Sequence, residues 1–354
     1  MIYTRVYKED LVEAQQNIPN LKDLKGKSIF ITGAGGLICS AIVDFLFLLN
    51  DLKDYKMKIF VGARDKTKIY ERFKIFIHRE DFHFIQYDAN KPLKCKYSFD
   101  YIIHGAGNAN PALYIKQPVE TMLGNILGIK NILEYSIKFP ARKVLYISSS
   151  EVYGKKENVE IYNEEDYNFL DILDIRACYP SAKRATETLC IAYLKEFGIK
   201  TVIARPGHIF GPTVTKNDNR ASSQFAKDVL LGKDIIMKSS GNQLRSYCYV
   251  IDCVTAILTI LLNGKAGEAY NISNESSLVS IRDVAEEFAK ISDRKVIFEN
   301  PSEEETKSYN LMSNSCLSSK KLELLGWTGK YNLKKGVKHT YECMIEAMED
   351  ENGK

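Results

Sequence analysis

The sequence lacks the residue patterns that would tie it to a metal, a disulfide framework or a nucleic acid. Only five histidines occur among 354 residues, and the eight cysteines stand singly without a C-x-x-C pair. A structural zinc site or a set of disulfides is therefore not expected, and we predict no metal. The 49 basic and 45 acidic residues leave a net charge of only +4, so a basic surface for nucleic acid is not indicated either.

Long hydrophobic runs are also missing. The most apolar stretch, "AIVDFLFLLN" at residues 41–50, is shorter than a bilayer requires and contains Asp44. The charged, mixed stretch "MIYTRVYKEDLVEAQQ" at residues 1–16 does not resemble a secretory signal peptide. Because the scattered cysteines also suit a reducing compartment, we expect a cytoplasmic protein with no membrane partner.

The sequence does contain a regular alternation of short apolar runs with longer helical stretches. The apolar runs lie at residues 27–32, 58–63, 82–88, 101–107, 143–150 and 200–211, and helical stretches include 37–49, 119–139 and 179–197. Such alternation is typical of a parallel sheet with helices on both faces, and right-handed crossovers make it a doubly wound, Rossmann-type α/β domain.

From about Pro212 the elements become shorter and the loops more polar. "DIIMK" and "EAYNIS" are the short strands of this part. We predict a first domain mainly at residues 1–211 and a smaller C-terminal lobe mainly at 212–354. The apolar segment 248–263 is expected to return to the first domain.

A glycine-rich turn joins the first strand to the first helix. In "ITGAGGLICSAIVDFL", Gly33 and Gly36 occupy the first two glycines of a G-x-x-G-x-x-G pattern, and Cys39 stands at the third. Early glycines let the backbone approach a pyrophosphate, and the helix N-terminus at Leu37 and Ile38 offers free N–H groups. An ordinary glycine turn is the alternative, but the strand–turn–helix context favours a dinucleotide site.

The end of the second strand leaves the choice of dinucleotide open. It reads "VGARDKTK", with Gly62 where an acidic residue would hold the ribose of NAD. Arg64 could pair with the 2′-phosphate of NADP, and Asp65 could hold a free ribose hydroxyl, or both could be solvated loop charges. We favour NAD, with NADP possible. Asp88 and the following Ala89, just past the third strand, are candidates for contact with the adenine.

A tyrosine and a lysine one helical turn apart form the second motif. In "RACYPSAKRATETL", Tyr179 and Lys183 are spaced i and i+4, so both side chains leave the same helix face. A free phenol has a pKa near ~10. An ammonium group nearby and a positively charged nicotinamide would stabilise the phenolate and lower that pKa, which would make Tyr179 a general base. The pair alone could arise by chance, but its position after a dinucleotide cradle favours catalysis.

Together these motifs resemble the extended short-chain dehydrogenases/reductases that act on nucleotide sugars. The resemblance runs from about Lys25 to Trp327, and its segments keep the family's order: the G-x-x-G turn, "YIIHGAG", "ISSSEVYG", "CYPSAKR", "ARPGHIFGP" and "RSYCYVID". It implies an NAD(P)-binding first domain, a lobe that binds the nucleotide sugar, and a bound cofactor that takes a hydride from sugar C4 and usually returns it.

The same resemblance implies roles for individual residues. Tyr179 would be the base, Lys183 its partner, and Ser149 the hydroxyl that orients the sugar 4-OH. The helical stretches 119–139 and 179–197 correspond to those that build a dimer interface in relatives, so a homodimer is expected by analogy.

Glu151, in "LYISSSEVYG", distinguishes between reactions within the family. An acid/base at C5 serves removal of a C5 proton or protonation after loss of a C5 carboxylate, whereas a simple 4-epimerase needs neither. Family dehydratases acting on dTDP-glucose usually show Asp-Glu here, whereas Ser150-Glu151 is similar to UDP-glucuronate decarboxylases and some GDP-mannose dehydratases. A glutamate that only caps a loop or pairs with a lysine is the alternative.

Other segments also resemble the decarboxylases. "NANPALYIKQPVET" would place Tyr114 near the sugar carboxylate, and the arginine of "GNQLRSYCYVID", Arg245, would contact the substrate. UDP-glucuronate decarboxylation is therefore the favoured activity, followed by a 4,6-dehydratase of the dTDP-glucose or GDP-mannose type and then a 4-epimerase. A catalytically dead dinucleotide-binding regulator is disfavoured because Ser149, Tyr179 and Lys183 are intact.

The sequence departs from the family's pattern on the nucleotide side. His208 and Gln224 replace two asparagines that usually contact the nucleotide, and "SNSCLSS" replaces an arginine-bearing segment. His208 and Gln224 are predicted to bind substrate, but these changes leave the base and the sugar open.

Overall fold

The computed structural model describes residues 3–155, 161–215, 217–301, 312 and 314–352, and its largest element is a seven-stranded parallel sheet. The strand order is β10-β6-β5-β4-β1-β2-β3. The strands are β1 (Ser28–Thr32), β2 (Lys58–Ala63), β3 (Phe82–Gln86), β4 (Tyr101–His104), β5 (Lys143–Ile147), β6 (Thr201–Pro206) and β10 (Ala269–Ile272). This order confirms the doubly wound α/β fold.

Alternate side chains of the central strands enter two separate cores. Ile29 and Ile31 of β1 belong to the core under the helices on one face. Phe30 between them stacks with Phe99 in the core on the other face. Because both faces are covered, the strands are apolar throughout, which explains why they appear in the sequence as continuous apolar runs.

The helices that cover the sheet have recognisable start and stop signals. Pro118 stands at the first turn of the fifth helix, where its missing N–H costs nothing, and Gly198 ends the sixth helix in a left-handed conformation. The helices are α1 (Arg5–Ala14), α2 (Leu37–Lys53), α3 (Lys66–Arg72), α4 (Pro111–Lys116), α5 (Pro118–Lys138), α6 (Cys178–Phe197), α7 (Ala221–Leu230), α8 (Val250–Asn263), α9 (Ile281–Ser292), α10 (Lys320–Glu323) and α11 (Leu333–Asn352).

In the part of the chain that the structure describes, six shorter strands lie outside the main sheet. β9 (Leu244–Tyr249) pairs with β7 (His208–Phe210), β11 (Leu278–Ser280) and β13 (Asn314–Ser315), and β8 (Ile235–Met237) pairs with β12 (Val296–Phe298). The apolar run 200–211, expected as one strand, is therefore two strands in different sheets. Gly207 lies at the break, where a Cβ would lie 2.6 Å from the carbonyl oxygen of Ser246.

The expected place of "EAYNIS" is wrong. Ala269–Ile272 does not belong to the smaller lobe but forms the edge strand β10 of the main sheet, parallel to β6. The long buried helix α8 precedes it and packs against α2 and β6, so it serves as the crossover to this last parallel strand. The domain boundary near residue 211 stays a prediction. Among the described helices, none combines the length and the hydropathy needed to span a bilayer.

Candidate active site

The glycine turn after β1 forms a tight backbone cradle at the carboxyl edge of the sheet. Gly33 has φ of 69°, and its amide donates to the carbonyl of Gly62 over 3.0 Å. A Cβ on Gly33 would lie 2.7 Å from the carbonyl oxygen of Gly105. Gly36 caps α2, whose helical amides begin at Leu37 and Ile38. A side chain at Gly33 would fill this cradle, so the residues present fit a dinucleotide pyrophosphate at a helix N-terminus.

Cys39 fits the third glycine position because a neighbouring strand end leaves room for it. A Cβ on Gly105, just past β4, would overlap the Cys39 sulfur. The thiol is buried, and burial raises its pKa to about 12. Cys39 is therefore a packing residue, and its sulfur uses the space that Gly105 leaves empty. All eight cysteines lie in described segments and are free thiols.

The residues that would choose between NAD and NADP lie at the end of β2 and β3. No acidic side chain could stand at Gly62, because a Cβ there would lie 2.7 Å from the Phe30 ring. Arg64 is exposed, and Asp65 caps α3 by accepting from the Lys68 amide over 3.1 Å. That backbone hydrogen bond holds the pKa of Asp65 below its usual value.

The candidates after β3 also carry local structural roles. Asp88 accepts from the Asn90 amide over 3.1 Å and lies 3.5 Å from the Lys91 ammonium. The carbonyl of Ala89 accepts from the Asn131 side chain of α5 over 2.9 Å. Roles of Arg64, Asp65, Asp88 and Ala89 toward the cofactor stay predictions.

Tyr179 and Lys183 lie on the buried face of α6, as their spacing predicts. The Lys183 ammonium donates to the carbonyl of Ile147, at the end of β5, over 2.9 Å and lies 5.6 Å from the Tyr179 ring centroid. Burial lowers the pKa of Lys183 to about 7, although Glu187 opposes this. Burial therefore makes this lysine lose its proton more readily than an exposed lysine does.

The residues around Tyr179 raise the pKa of its phenol, whereas the sequence predicted a lower pKa. Burial, followed by the charge of Glu151, raises the pKa of Tyr179 to about 12. Hydrogen bonds with Ser149 and Tyr114 lower it in part, as does the more distant Arg176. The side chains around Tyr179 therefore do not by themselves supply the lowering below a free phenol that the spacing predicts.

Glu151 is held by an arginine rather than by a lysine. Both terminal nitrogens of Arg176 bond its carboxylate, over 2.8 and 3.0 Å. The Arg176 guanidinium lies 4.7 Å over the ring of Tyr114. Tyr114 in turn stacks on Tyr179, with centroids 4.5 Å apart and planes 10° from parallel. Glu151 and the proposed base therefore belong to one buried cluster, with Ser149 and Ser150 in the short turn beside them.

The sequence reasoning named no role for two arginines near this cluster. Arg176 directly precedes the catalytic motif, in "RACYPSAKRATET", and its place in this segment was the available signal for it. Arg220 is ion-paired with Asp218. Burial alone would lower the pKa of Arg220, but the pairing with Asp218, together with smaller effects of Tyr114 and Tyr179, raises it above its usual value. Its charge therefore reaches the tyrosine pair. The spacing D-x-R before α7 was the available signal.

The predicted substrate residues of the smaller sheet are placed unequally. Arg245 on β9 is buried and donates to the carbonyls of Leu244 and Met312 over 2.8 and 2.9 Å. His208 on β7 lies beside Tyr247, and burial, followed by Arg245 and Arg220, lowers its pKa to about 3. It is therefore a neutral imidazole at pH 7.

Gln224 and metal ligation complete the account of the predicted residues. Gln224 is exposed on α7 and donates to Asp228 of the same helix over 2.8 Å, so the structure does not bring it to the cluster. Its contact with a nucleotide stays a prediction. Within the described ranges, no group of three or more His, Cys, Asp and Glu side chains is arranged to hold a metal ion.

Comparison with known proteins gives consistent results. A family model described as the NAD dependent epimerase/dehydratase family matches residues 29–273. UDP-glucuronic acid decarboxylase 6 of Arabidopsis thaliana is 30% identical over 312 residues, which cover 87% of this chain and 86% of that protein. UDP-glucuronic acid decarboxylase 1 of Xenopus tropicalis is 33% identical over 269 residues, which cover 75% of this chain and 61% of that protein, less than two thirds of its length.

Solved structures share the fold. The UDP-glucuronic acid 4-epimerase from Bacillus cereus, in complex with UDP-glucuronic acid and NAD, superposes with a TM-score of 0.75 at 23% identity and covers 91% of this chain and 99% of its own. The matches confirm the family resemblance and the fold class. The NAD dependence in the family's description confirms the predicted cofactor.

Proposed function

Because this chain belongs to the NAD-dependent epimerase/dehydratase family, we propose that it decarboxylates a nucleotide-linked uronic acid, with UDP-glucuronate as the first candidate. The single observation that carries the proposal is Glu151, a carboxylate held next to the Tyr114–Tyr179 pair. An acid/base at this place suits a reaction at sugar C5 rather than epimerisation at C4 alone. The 30–33% identity to UDP-glucuronic acid decarboxylases supports the same choice.

Tyr179 is assigned the proton transfer at C4. Its phenolate would take the proton of the sugar 4-OH, while hydrogen bonds from Ser149 and Tyr114 stabilise the negative oxygen. When bound, NAD supplies the acceptor for the C4 hydride and later returns that hydride. Lys183, whose pKa burial lowers to about 7, is positioned to exchange protons near Tyr179.

Glu151 is assigned the proton transfer at C5. With a ketone at C4, the C5 carboxylate is part of a β-keto acid, so its C–C bond breaks to release carbon dioxide and leave an enolate. The enolate then takes one proton at C5, which Glu151 delivers after receiving it from solvent. Return of the hydride to C4 completes a redox-neutral conversion of a hexuronate to a pentose. Arg245, buried on β9, is the proposed contact for an anionic group of the substrate.

A 4,6-dehydratase is the second candidate because Glu151 could equally remove a C5 proton. Ser150 stands where dTDP-glucose dehydratases carry an aspartate for the departing 6-hydroxyl, which favours the decarboxylase. Incubation of the protein with NAD and either UDP-glucuronate or dTDP-glucose separates the two. We expect UDP-glucuronate to give carbon dioxide and a UDP-pentose. Formation of a 4-keto-6-deoxy sugar from dTDP-glucose, with no carbon dioxide from UDP-glucuronate, would instead select the dehydratase.

We also infer a homodimer that uses α5. Val119, Met122 and Leu123 are spaced i, i+3 and i+4 on this helix, and all three are exposed although apolar. Such a stripe suits a second copy of the chain. Light scattering at micromolar concentration should give twice the mass of one chain, and Met122→Glu should shift it toward the monomer.

The free, mostly buried thiols favour a reducing compartment such as the cytoplasm.

A further inference from the structure

Four side chains near the proposed C4 and C5 chemistry are packed in series. Glu151 bonds both terminal nitrogens of Arg176, Arg176 lies over the ring of Tyr114, and Tyr114 stacks on Tyr179. The four come from three separate parts of the chain. Arg176 is the only member of this series that contacts both Glu151 and Tyr114. It therefore links the carboxylate proposed for C5 to the ring that stacks on Tyr179, the base proposed for C4.

Arg176 is almost as buried as the two tyrosines of the series, of which Tyr114 is 2% and Tyr179 5% exposed. Glu151 keeps 18% of its side-chain surface exposed, whereas Arg176 keeps 8%. The Arg176 Nε is buried and has no hydrogen-bond partner among the described residues. The contacts of the buried guanidinium are those with the Glu151 carboxylate and the Tyr114 ring, and these two groups hold Arg176 in place.

We propose that Arg176 is a positioning residue that couples the C5 acid/base to the C4 base. This proposal rests on the proposed function only because it assigns Glu151 to C5 and Tyr179 to C4. Its bidentate bonds fix the direction of the Glu151 carboxylate, because a planar guanidinium allows one geometry for two parallel bonds. Its contact with the Tyr114 ring holds that ring parallel to Tyr179, where the Tyr114 hydroxyl reaches the Tyr179 oxygen.

The charges around Tyr179 predict the direction in which the pKa of Tyr179 changes when Arg176 or Glu151 is replaced. A purely structural role of Arg176 predicts no such direction. Glu151 raises the pKa of Tyr179 and Arg176 lowers it. Removal of the arginine's charge should therefore make the phenolate harder to form, and removal of the glutamate's charge should make it easier. The other polar groups that face Tyr179 are Ser149 and Tyr114, and Arg220 and Lys183 lie near enough to act through their charge.

The test compares Arg176→Gln, Arg176→Lys and Glu151→Gln in the NAD-bound protein. A difference ultraviolet titration of each variant against the same variant with Tyr179→Phe isolates the phenol of Tyr179 and needs no turnover. We expect a higher pKa in Arg176→Gln, a lower pKa in Glu151→Gln, and a value near that of the unchanged protein in Arg176→Lys, which keeps the charge.

Steps at C4 and C5 are then read separately with any nucleotide sugar that reduces the bound NAD. NADH formation reports C4 oxidation, and uptake of solvent deuterium reports C5 exchange. Arg176→Lys should slow C5 exchange by about 10–100-fold while C4 oxidation falls by less, because a lysine cannot hold Glu151 through two parallel bonds. Arg176→Gln should slow both steps and move the rising limb of the C4 rate to higher pH.

Arg184→Lys is the matched control. Arg184 is also a partly buried arginine beside this turn, but its side-chain hydrogen bonds within the described segments go to the carbonyls of Val152 and Asn168. We expect it to lower thermal stability without changing the ratio of the two rates or the phenol titration. If Arg176→Gln fails to fold, Glu151→Gln still tests the sign from the other side of the pair.

Two results would overturn the proposal. One is an unchanged Tyr179 titration in both Arg176→Gln and Glu151→Gln. The other is an equal loss of both steps in Arg176→Lys and Arg184→Lys, which would make Arg176 a structural residue only. Absence of carbon dioxide from the unchanged protein would instead remove the proposed decarboxylase activity and leave the titration result standing.

Discussion

The cofactor side and the substrate side of this molecule are built by different means. The cradle at Gly33 and Gly36 is made by backbone atoms of one continuous segment. The neighbouring Gly105 contributes no side chain and so leaves room for the Cys39 sulfur. The substrate side is made by charged and aromatic side chains from distant segments, such as Glu151 and Arg176, which meet only in the folded chain. The first kind of site tolerates little change at the glycines, and the second depends on the chemistry of each side chain.

The largest effect expected on the substrate side comes from Tyr179→Phe. Removal of the phenol should lower turnover by about 10³-fold or more, because it removes a general base, while the affinity for NAD stays unchanged. Turnover with UDP-glucuronate and binding of NAD by calorimetry measure the two quantities. Tyr193→Phe is the control, since Tyr193 lies on the same helix but bonds Glu134 away from the cluster. Activity in Tyr179→Phe close to that of the control would refute the assignment of the base.

The matching change on the cofactor side is Gly33→Ala. Its Cβ would lie 2.7 Å from a backbone oxygen, and its φ of 69° is unfavourable for alanine, so the cradle must open. We expect NAD affinity to fall by about 100-fold, which corresponds to about 3 kcal/mol. Gly26→Ala separates strain from space: Gly26 has φ of 71° but nothing within 4 Å of its Cβ position. The affinity of Gly26→Ala for NAD should not change. An equal loss of NAD affinity in Gly26→Ala and Gly33→Ala would contradict the assignment of the Gly33 turn as the NAD site.

A smaller effect should follow from Gly105→Ala, which tests the packing of Cys39. The new methyl group would overlap the Cys39 sulfur, and overpacking of this kind costs about 1–3 kcal/mol of the free energy of unfolding. Chemical denaturation measures this cost. Combination with Cys39→Gly should restore most of the loss, whereas additive losses in the double variant would show that the two residues do not share the space.

The smallest effect is expected from Arg64→Ala. Arg64 is exposed, and the structure gives its guanidinium no ion pair in the described segments. If NAD is the working cofactor, the affinity for NAD should change by less than about threefold, which lies within the range of about 0–1 kcal/mol for an exposed ion pair. The ratio of NAD to NADP affinity, measured by calorimetry in both proteins, checks this. A strong preference for NADP that Arg64→Ala abolishes would reverse the choice of cofactor.

The sequence predicted the cofactor side better than the substrate side for a physical reason. The main sheet's first five strands and the glycine turn follow local periodicity and a local motif, and the structure has them where these patterns indicate. The edge strand Ala269–Ile272 was predicted as a strand but placed in the smaller lobe, because pairing with β6 is a property of the fold and not of its four residues. The break at Gly207 likewise depends on a carbonyl of β9.

The electrostatics of the site could be predicted even less. Tyr179 and Lys183 were identified by spacing alone, but their pKa directions depend on burial, which no short segment reveals. Glu151 was identified, yet its partner was not, because Arg176 stands 25 positions away in the sequence. The arginine in "RACY" could have been suspected from its place beside the catalytic motif, but its contact with Glu151 required the structure.

Turnover of UDP-glucuronate in heavy water tests most directly whether Glu151 completes a reaction at C5 that Tyr179 begins at C4. Nuclear magnetic resonance of the product from the unchanged protein should show a UDP-pentose with solvent deuterium at C5. Glu151→Gln should still form NADH but yield little of this pentose. A UDP-hexuronate with only its C4 configuration changed, or equal pentose formation by Glu151→Gln, would contradict the account.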